Sequence, residues 1–230
     1  MKKIIISIIF NSIIFSLMVL GLIMAFTGLK FDLSFGPKPT FGNVMKYFTV
    51  QSNIFMGIMS LLFVINAILY LKKNIEMNKI VFIIKYVSTV CVAITFSTVV
   101  FILTPIFYRD NIFGLFYDGN FLFHLVIPVL SIITFLFFEN RNDIKIKITF
   151  TGMIPFIIYT IFYLIAALLH MENGKIVDGY DWYGFLYNGI PIFILLSFVM
   201  VILSYFISFI LYFLNKKLYK AEEKTQWKKH

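Results

Sequence analysis

Met45–Phe63 reads MKYFTVQSNIFMGIMSLLF. Its second half is a plain apolar helix, but Thr49, Gln51, Ser52 and Asn53 put polar side chains where that helix begins. In hydrocarbon an uncompensated polar group is costly, so such groups turn toward a bundle interior or a cavity. Thr49, Ser52 and Asn53 stand at i, i+3 and i+4 and share one helix face, whereas Gln51 points elsewhere. The stretch therefore reads as a membrane helix with a short polar stripe at one end.

The surrounding chain supports a membrane setting. Of its 230 residues 60% are hydrophobic and 13% charged, with a mean hydropathy of +0.92. Soluble domains carry about a quarter charged residues. Charges and turn residues divide the sequence into six apolar runs: Ile4–Phe26, Tyr47–Leu71, Ile80–Tyr108, Asn120–Phe138, Ile148–His170 and Leu186–Leu214. Each is long enough to cross a hydrocarbon core of about 30 Å. The expected fold is an all-α, six-helix membrane bundle forming a single domain, with a basic tail over residues 215–230. Met1-Lys2-Lys3 followed by Ile4 resembles a signal peptide, but the run is too long and has no clear small-residue cleavage site, so it is taken as the first helix.

The net charge of +9 points to a membrane surface rather than to nucleic acid, because Lys and Arg gather beside helix ends on the cytoplasmic side. Lys2, Lys3, Lys72, Lys73, Lys79, Arg141, Lys145, Lys147, Lys216, Lys217, Lys220, Lys224, Lys228 and Lys229 fall on one side. Lys30, Lys38, Lys46, Arg109 and Lys175 fall on the other. Both termini are therefore expected in the cytoplasm. Lys85, a turn and a half inside the third run, is expected to snorkel toward that side. The single cysteine, Cys91, permits no disulfide within the chain. Abundant Ile, Phe, Lys and Asn fit the usage of AT-rich bacterial genomes. The connection TGLKFDLSFGPKPTFGNVMK, residues 27–46, has two readings: a lid lying on the interface, or a flexible loop. Tyr47, Tyr108, Tyr117, Tyr180, Trp182, Tyr183 and Tyr187 form an aromatic belt on the outward side.

Antiparallel crossings bring Thr49, His124 and His170 from three helices to a similar depth. Tyr159, Tyr163 and His170 stand at i, i+4 and i+11, one helical face that would line the same cavity. His124, in FLFHLVIPVL, is the only His inside an apolar run. Each residue also has a plainer reading: Thr49 as a helix-end hydrogen bond, Ser52 and Asn53 as interhelical glue, His170 as a solvated helix end, His124 as a hydrogen-bonded structural group. A catalytic zinc needs about three protein ligands, and no Asp or Glu lies inside a run; only Asp178 or Asp181 in a loop would complete a set. A hydroxyl–imidazole pair remains, in which the imidazole removes the proton during attack and Asn53 donates to the oxyanion. This chemistry requires no cofactor.

Three stretches, KYFTVQSN (46–53), FHLVIPVL (123–130) and HMENGKIVDGYDWYGFLY (170–187), resemble in order and spacing the family of androgen-induced protein and androgen-dependent TFPI-regulating protein. The resemblance runs through all six apolar runs. It implies an intramembrane threonine hydrolase that cleaves fatty acid esters of hydroxy fatty acids, with Thr49 as nucleophile and His124 as base. The supporting groups would be Ser52, Asn53, Tyr159, Tyr163, His170, Trp182 and Tyr183, around a pocket open to the outer leaflet. His124 stands four residues before Pro128 where the family has five, and Gly184 replaces a Pro. Fold and site therefore carry over better than the substrate. A non-enzymatic lipid-binding or sensing protein is the alternative. A small-solute transporter ranks below it, since Lys85 is the only charge expected to be buried and Pro105, Pro128, Pro155 and Pro191 are the only signs of broken helices.

Cysteine-accessibility labelling tests the orientation. Cysteines placed at Phe35, Tyr117 and Lys175 are expected to react from outside intact cells, and those at Asn74 and Asn142 only after permeabilisation. Outside labelling at position 74 overturns the topology.

Overall fold

The computed structural model describes residues 2–108, 111, 113–141, 143–173, 175–187 and 189–227, with side chains except at 107 and 220–227. Arg109, Asn142, Lys228 and Lys229, which enter the orientation reading, lie outside the described residues. Six helices are long and apolar enough to cross a membrane: α1 (Lys2–Thr27), α2 (Phe48–Lys73), α3 (Lys79–Ile106), α4 (Asp118–Phe138), α5 (Ile146–Leu169) and α6 (Ile190–Trp227). The protein is an all-α, six-helix membrane bundle. An apolar run in hydrocarbon has little other choice, because only a helix satisfies every backbone group within its own segment. The hairpin β1 (Met171–Glu172) and β2 (Lys175–Ile176) extends the α5–α6 connection, with Met171 opposite Ile176.

Five expected runs agree with the helices to within two residues at either end. The sixth does not. It begins four residues later, at Ile190, because Gly189 adopts a left-handed φ of 85° that breaks the helix before it. It also continues unbroken past Leu214, so the basic tail through Trp227 is helical. Connection 27–46 is folded rather than formless. Lys30 N–H donates to Ser34 O at 2.9 Å, and Leu29 bridges Phe35. A short helix, Phe41–Met45, is capped by the Thr40 side chain. The segment is anchored to the start of α4 by Phe31 N–H donating to Asp118 at 3.0 Å.

Prolines shape two of the helices. α3 widens to a π turn over Val99–Leu103 and α4 over Leu122–Val126. Each turn ends two residues before a proline, Pro105 or Pro128. Proline has no N–H to donate, and a helix accommodates it in the membrane by local readjustment of its hydrogen bonds. Pro155 and Pro191 fall in the first turn of helical segments, where the missing N–H costs nothing.

α3 is the most buried helix and α6 the least. One core joins α1, α2 and α4 through Ile14, Met18, Met56, Phe123 and Ile127. The other joins α3, α5 and α6 through Tyr86, Val90, Tyr163 and Phe193, with Phe135 of α4. Polar groups fasten the second core. Tyr86 Oη donates to Ser208 O at 2.7 Å, and Ser208 Oγ donates to Thr149 O at 2.8 Å, tying three helices at one node. Lys2, Lys73, Lys79, Arg141 and Lys216 lie together at one end of the bundle, the basic end. The opposite end carries Tyr47, Trp182 and Tyr183.

Lys85 does not snorkel. It is fully buried, and its Nζ donates to Ser60 Oγ at 2.8 Å and to Met56 Sδ at 3.0 Å, both toward the middle of α2. Local acceptors on α2 replace the water it would otherwise seek. Nor is it the only buried charge: Glu139, just past the end of α4, is 2% exposed.

Gly57 tests the α1–α2 contact. A Cβ at this position would lie 2.9 Å from Met18 Cβ, closer than real Cβ atoms approach. Gly57→Ala is expected to destabilise the fold by about 1–3 kcal/mol, measured as a lower unfolding midpoint in detergent. Met18→Ala in the same chain is expected to recover part of the loss.

Candidate functional site

The site begins with a missing donor on α4. In the π register Ile127 N–H donates to Leu122 O. The next carbonyl, Phe123 O, would then look to residue 128, which is Pro and has no N–H. Asn53 of α2 fills the gap. Its Nδ2 donates to Phe123 O at 3.1 Å and to Thr49 O at 2.7 Å. One buried amide thus joins the backbone of Thr49 to the residue preceding His124. Both amide hydrogens are consumed, so Asn53 is no oxyanion donor, which corrects the expected role. Its Oδ1 is buried without a hydrogen-bond partner.

His124 is 8% exposed, and its Nδ1 lies 2.7 Å from Leu115 O in the connection before α4. A carbonyl only accepts, so Nδ1 carries the hydrogen. In the neutral ring Nε2 is then the lone-pair nitrogen, the tautomer a base requires. The edge-on Phe116 ring, with centroids 6.4 Å apart, flanks the imidazole.

Thr49 occupies the first turn of α2 and is half-buried. Its carbonyl accepts from Ser52 Oγ at 3.0 Å as well as from Asn53. Ser52 Oγ also lies 3.0 Å from Thr95 Oγ1, so α3 joins the cluster. Thr95 is a member that sequence reasoning missed; its spacing from Ser52 along the chain carries no signal. No hydrogen bond links the Thr49 hydroxyl to His124 among the described residues. Gln51 turns back to Met45 O at 2.8 Å, away from the stripe.

The four aromatic candidates gather, but as a clamp rather than a cavity wall. Tyr159 Oη donates to Lys46 O at 2.7 Å and accepts from Trp182 Nε1 at 2.9 Å. Tyr183 Oη accepts from Phe48 N–H at 3.0 Å, capping α2 one residue before Thr49. Burial pushes the Tyr183 phenol above its usual range, so it remains a neutral hydroxyl. Tyr163 donates to Asp181, whose second oxygen accepts from Leu186 N–H at 3.2 Å. Lys46 lies over the Trp182 ring at 5.9 Å. These contacts hold the 177–187 loop against the start of α2. Tyr159 and Tyr163 are 6% and 1% exposed, so the shared face expected to line a cavity is packed instead. His170 does not join the cluster. Its Nδ1 bonds Ala166 O at 2.8 Å, one turn back, and its ring stacks on Tyr180 at 3.5 Å.

Two cavities form at the other end of the molecule. One of about 470 Å³ opens between the end of α2, residues 75–80 and Arg141. The other, of about 10 Å³, is lined by Tyr86, Phe135, Asn215 and Lys216. No protein-family model, curated protein or solved structure matches the chain.

Asn53→Ala leaves Phe123 O buried without a donor. The variant is expected to lose about 1–3 kcal/mol, the cost of an unsatisfied buried polar group, measured by thermal unfolding of the purified protein. Asn53→Gln is expected to recover little, since its longer side chain displaces the amide from both carbonyls.

Proposed function

We propose that the protein is an intramembrane hydrolase of lipid esters, with fatty acid esters of hydroxy fatty acids as a fitting substrate class. Both termini lie in the cytoplasm and the site faces the outer leaflet of the cell membrane. The observation that carries the reading is the Asn53 bridge, which holds Thr49 and the His124 turn at one depth. The His124 tautomer supports it by leaving Nε2 as a base.

The reaction follows from ordinary acyl transfer. Thr49 Oγ1 attacks the ester carbonyl while His124 Nε2 accepts its proton. The position of Thr49 in the first turn of α2 places the positive end of the helix dipole beside the developing negative charge. Collapse of the tetrahedral intermediate expels the alkoxide, which takes the proton from His124. Water, deprotonated by the same nitrogen, then attacks the acyl-threonine, and the acid is released as Thr49 Oγ1 takes the proton back from His124. The aromatic clamp acts by holding the start of α2.

One observation favours a second reading, a lipid-binding protein without catalysis. The Thr49 hydroxyl makes no hydrogen bond to His124, while Asn53 Oδ1 offers a buried acceptor to a lipid hydroxyl.

Hydrolysis of a long-chain fatty ester by the purified protein separates the two. Thr49→Ala is expected to abolish turnover and covalent labelling by a serine-hydrolase-type probe. Thr49→Ser, which keeps a hydroxyl but loses the methyl group that restricts χ1, is expected to retain part of the activity. His124→Ala is expected to lower the rate by about 10²–10⁴-fold, and the double variant by no more than the worse single one. Equal rates for Thr49→Ala and wild type overturn Thr49 as nucleophile, and rates at background for both favour the binder.

A further inference from the structure

A second polar cluster, at the basic end, takes no part in the proposed chemistry. Glu139 Oε1 accepts from Asn11 Nδ2 at 2.6 Å and from Ser7 Oγ at 3.2 Å, both on α1. Glu139 is 2% exposed and Asn11 0%. Asn215 Nδ2 of α6 holds the Glu139 backbone carbonyl at 2.8 Å. The Lys85 ammonium of α3 is bonded to Ser60 and Met56 rather than to Glu139.

Two atoms of this cluster are left over. Glu139 Oε2 and Asn11 Oδ1 are both buried and both lack a hydrogen-bond partner. They belong to a carboxyl and a carboxamide already joined through their other atoms. Both are acceptors when the carboxyl is ionised, so neither can satisfy the other. A single proton on Oε2 changes this: the acid donates to Asn11 Oδ1 while Asn11 Nδ2 continues to donate to Oε1. The result is the reciprocal two-bond ring of a carboxylic acid and an amide, with both orphans satisfied.

We propose that Glu139 is a proton-binding site of the bundle, paired with Asn11 through both carboxyl oxygens when protonated. In the uptake step hydronium transfers one proton to the carboxylate, yielding a carboxylic acid and water; no other bond changes. Opposing partners make the site exchangeable. The donors from Ser7 and Asn11 suit a carboxylate oxygen, whereas the Asn11 acceptor suits an acid hydroxyl. Other charged groups packed around Glu139 lie nearer the rim. Lys3 of α1 donates to Phe137 O, Arg141 bonds Asp143 and Met77 O, and Lys216 of α6 donates to Arg141 O. Tyr86 and Tyr212 are the neighbouring phenols, engaged with Ser208 O and Ile144 O. The cavity of about 10 Å³ at the basic end is lined by Asn215, which also holds Glu139. It has room for about one water beside Asn215.

Infrared titration of the purified full-length protein tests the site. A carboxylic-acid C=O band is expected to grow on acidification, to shift in D₂O, and to be absent from Glu139→Gln. Absence of any Glu139-dependent band at every pH at which the protein stays folded overturns the proposal. Folding provides an independent check. Gln reproduces both hydrogen bonds of the protonated acid, so Glu139→Gln is expected to unfold within a few degrees of wild type at pH 5, and Glu139→Leu well below it. Equal destabilisation by Gln and Leu also overturns it.

Discussion

A single missing N–H organises one half of this bundle. Pro128 cannot donate to Phe123 O in the π register of α4, and hydrocarbon supplies no water to do so. Asn53 donates to it from the neighbouring helix. The same amide holds Thr49 O, and so the first turn of α2 is bound to the turn that carries His124. The clamp of Tyr159, Trp182 and Tyr183 then fixes the entry of the chain into α2 from the other side. An orphan carbonyl thus becomes the joint around which the candidate site is assembled.

Polar side chains elsewhere follow the same logic. Hydrophobic burial cannot drive helix pairing in lipid, where the surroundings are as apolar as the interface. Close contacts at Gly57 and hydrogen bonds at Tyr86–Ser208–Thr149 do that work. Ser52 and Thr95 add a further link between α2 and α3. Lys85 and Glu139 extend the pattern to charge, each held by neutral partners from other helices rather than by direct pairing. The interior is therefore a set of local polar contacts embedded between two apolar cores.

The site was legible only in part. Thr49, Ser52 and Asn53 follow from helical spacing, because i+3 and i+4 neighbours share a face whatever surrounds them. The hydrogens of Asn53 do not follow, since they depend on carbonyls freed by a proline far along the chain. The i, i+4 spacing puts Tyr159 and Tyr163 on one face, but a face says nothing of whether it meets a cavity or a loop. His170 ends its helix and bonds its own turn, which residue type alone does not distinguish from a ligand.

Composition and the lengths of the apolar runs determined the six helices, because an apolar segment of that length in hydrocarbon must close its hydrogen bonds within itself. The end of α6 escaped that reading, since a helix leaving the membrane need not be apolar to continue. Tertiary structure alone decided the destinations of the long polar side chains. The Lys85 side chain is long enough to satisfy its ammonium at the membrane surface or at Ser60, and only the arrival of α2 selects between them. Glu139 stands outside its apolar run and looks solvent-facing until Asn11, 128 residues away, closes over it. Backbone hydrogen bonding is local and can be read from the chain; the partner of a buried side chain is set by which helices meet.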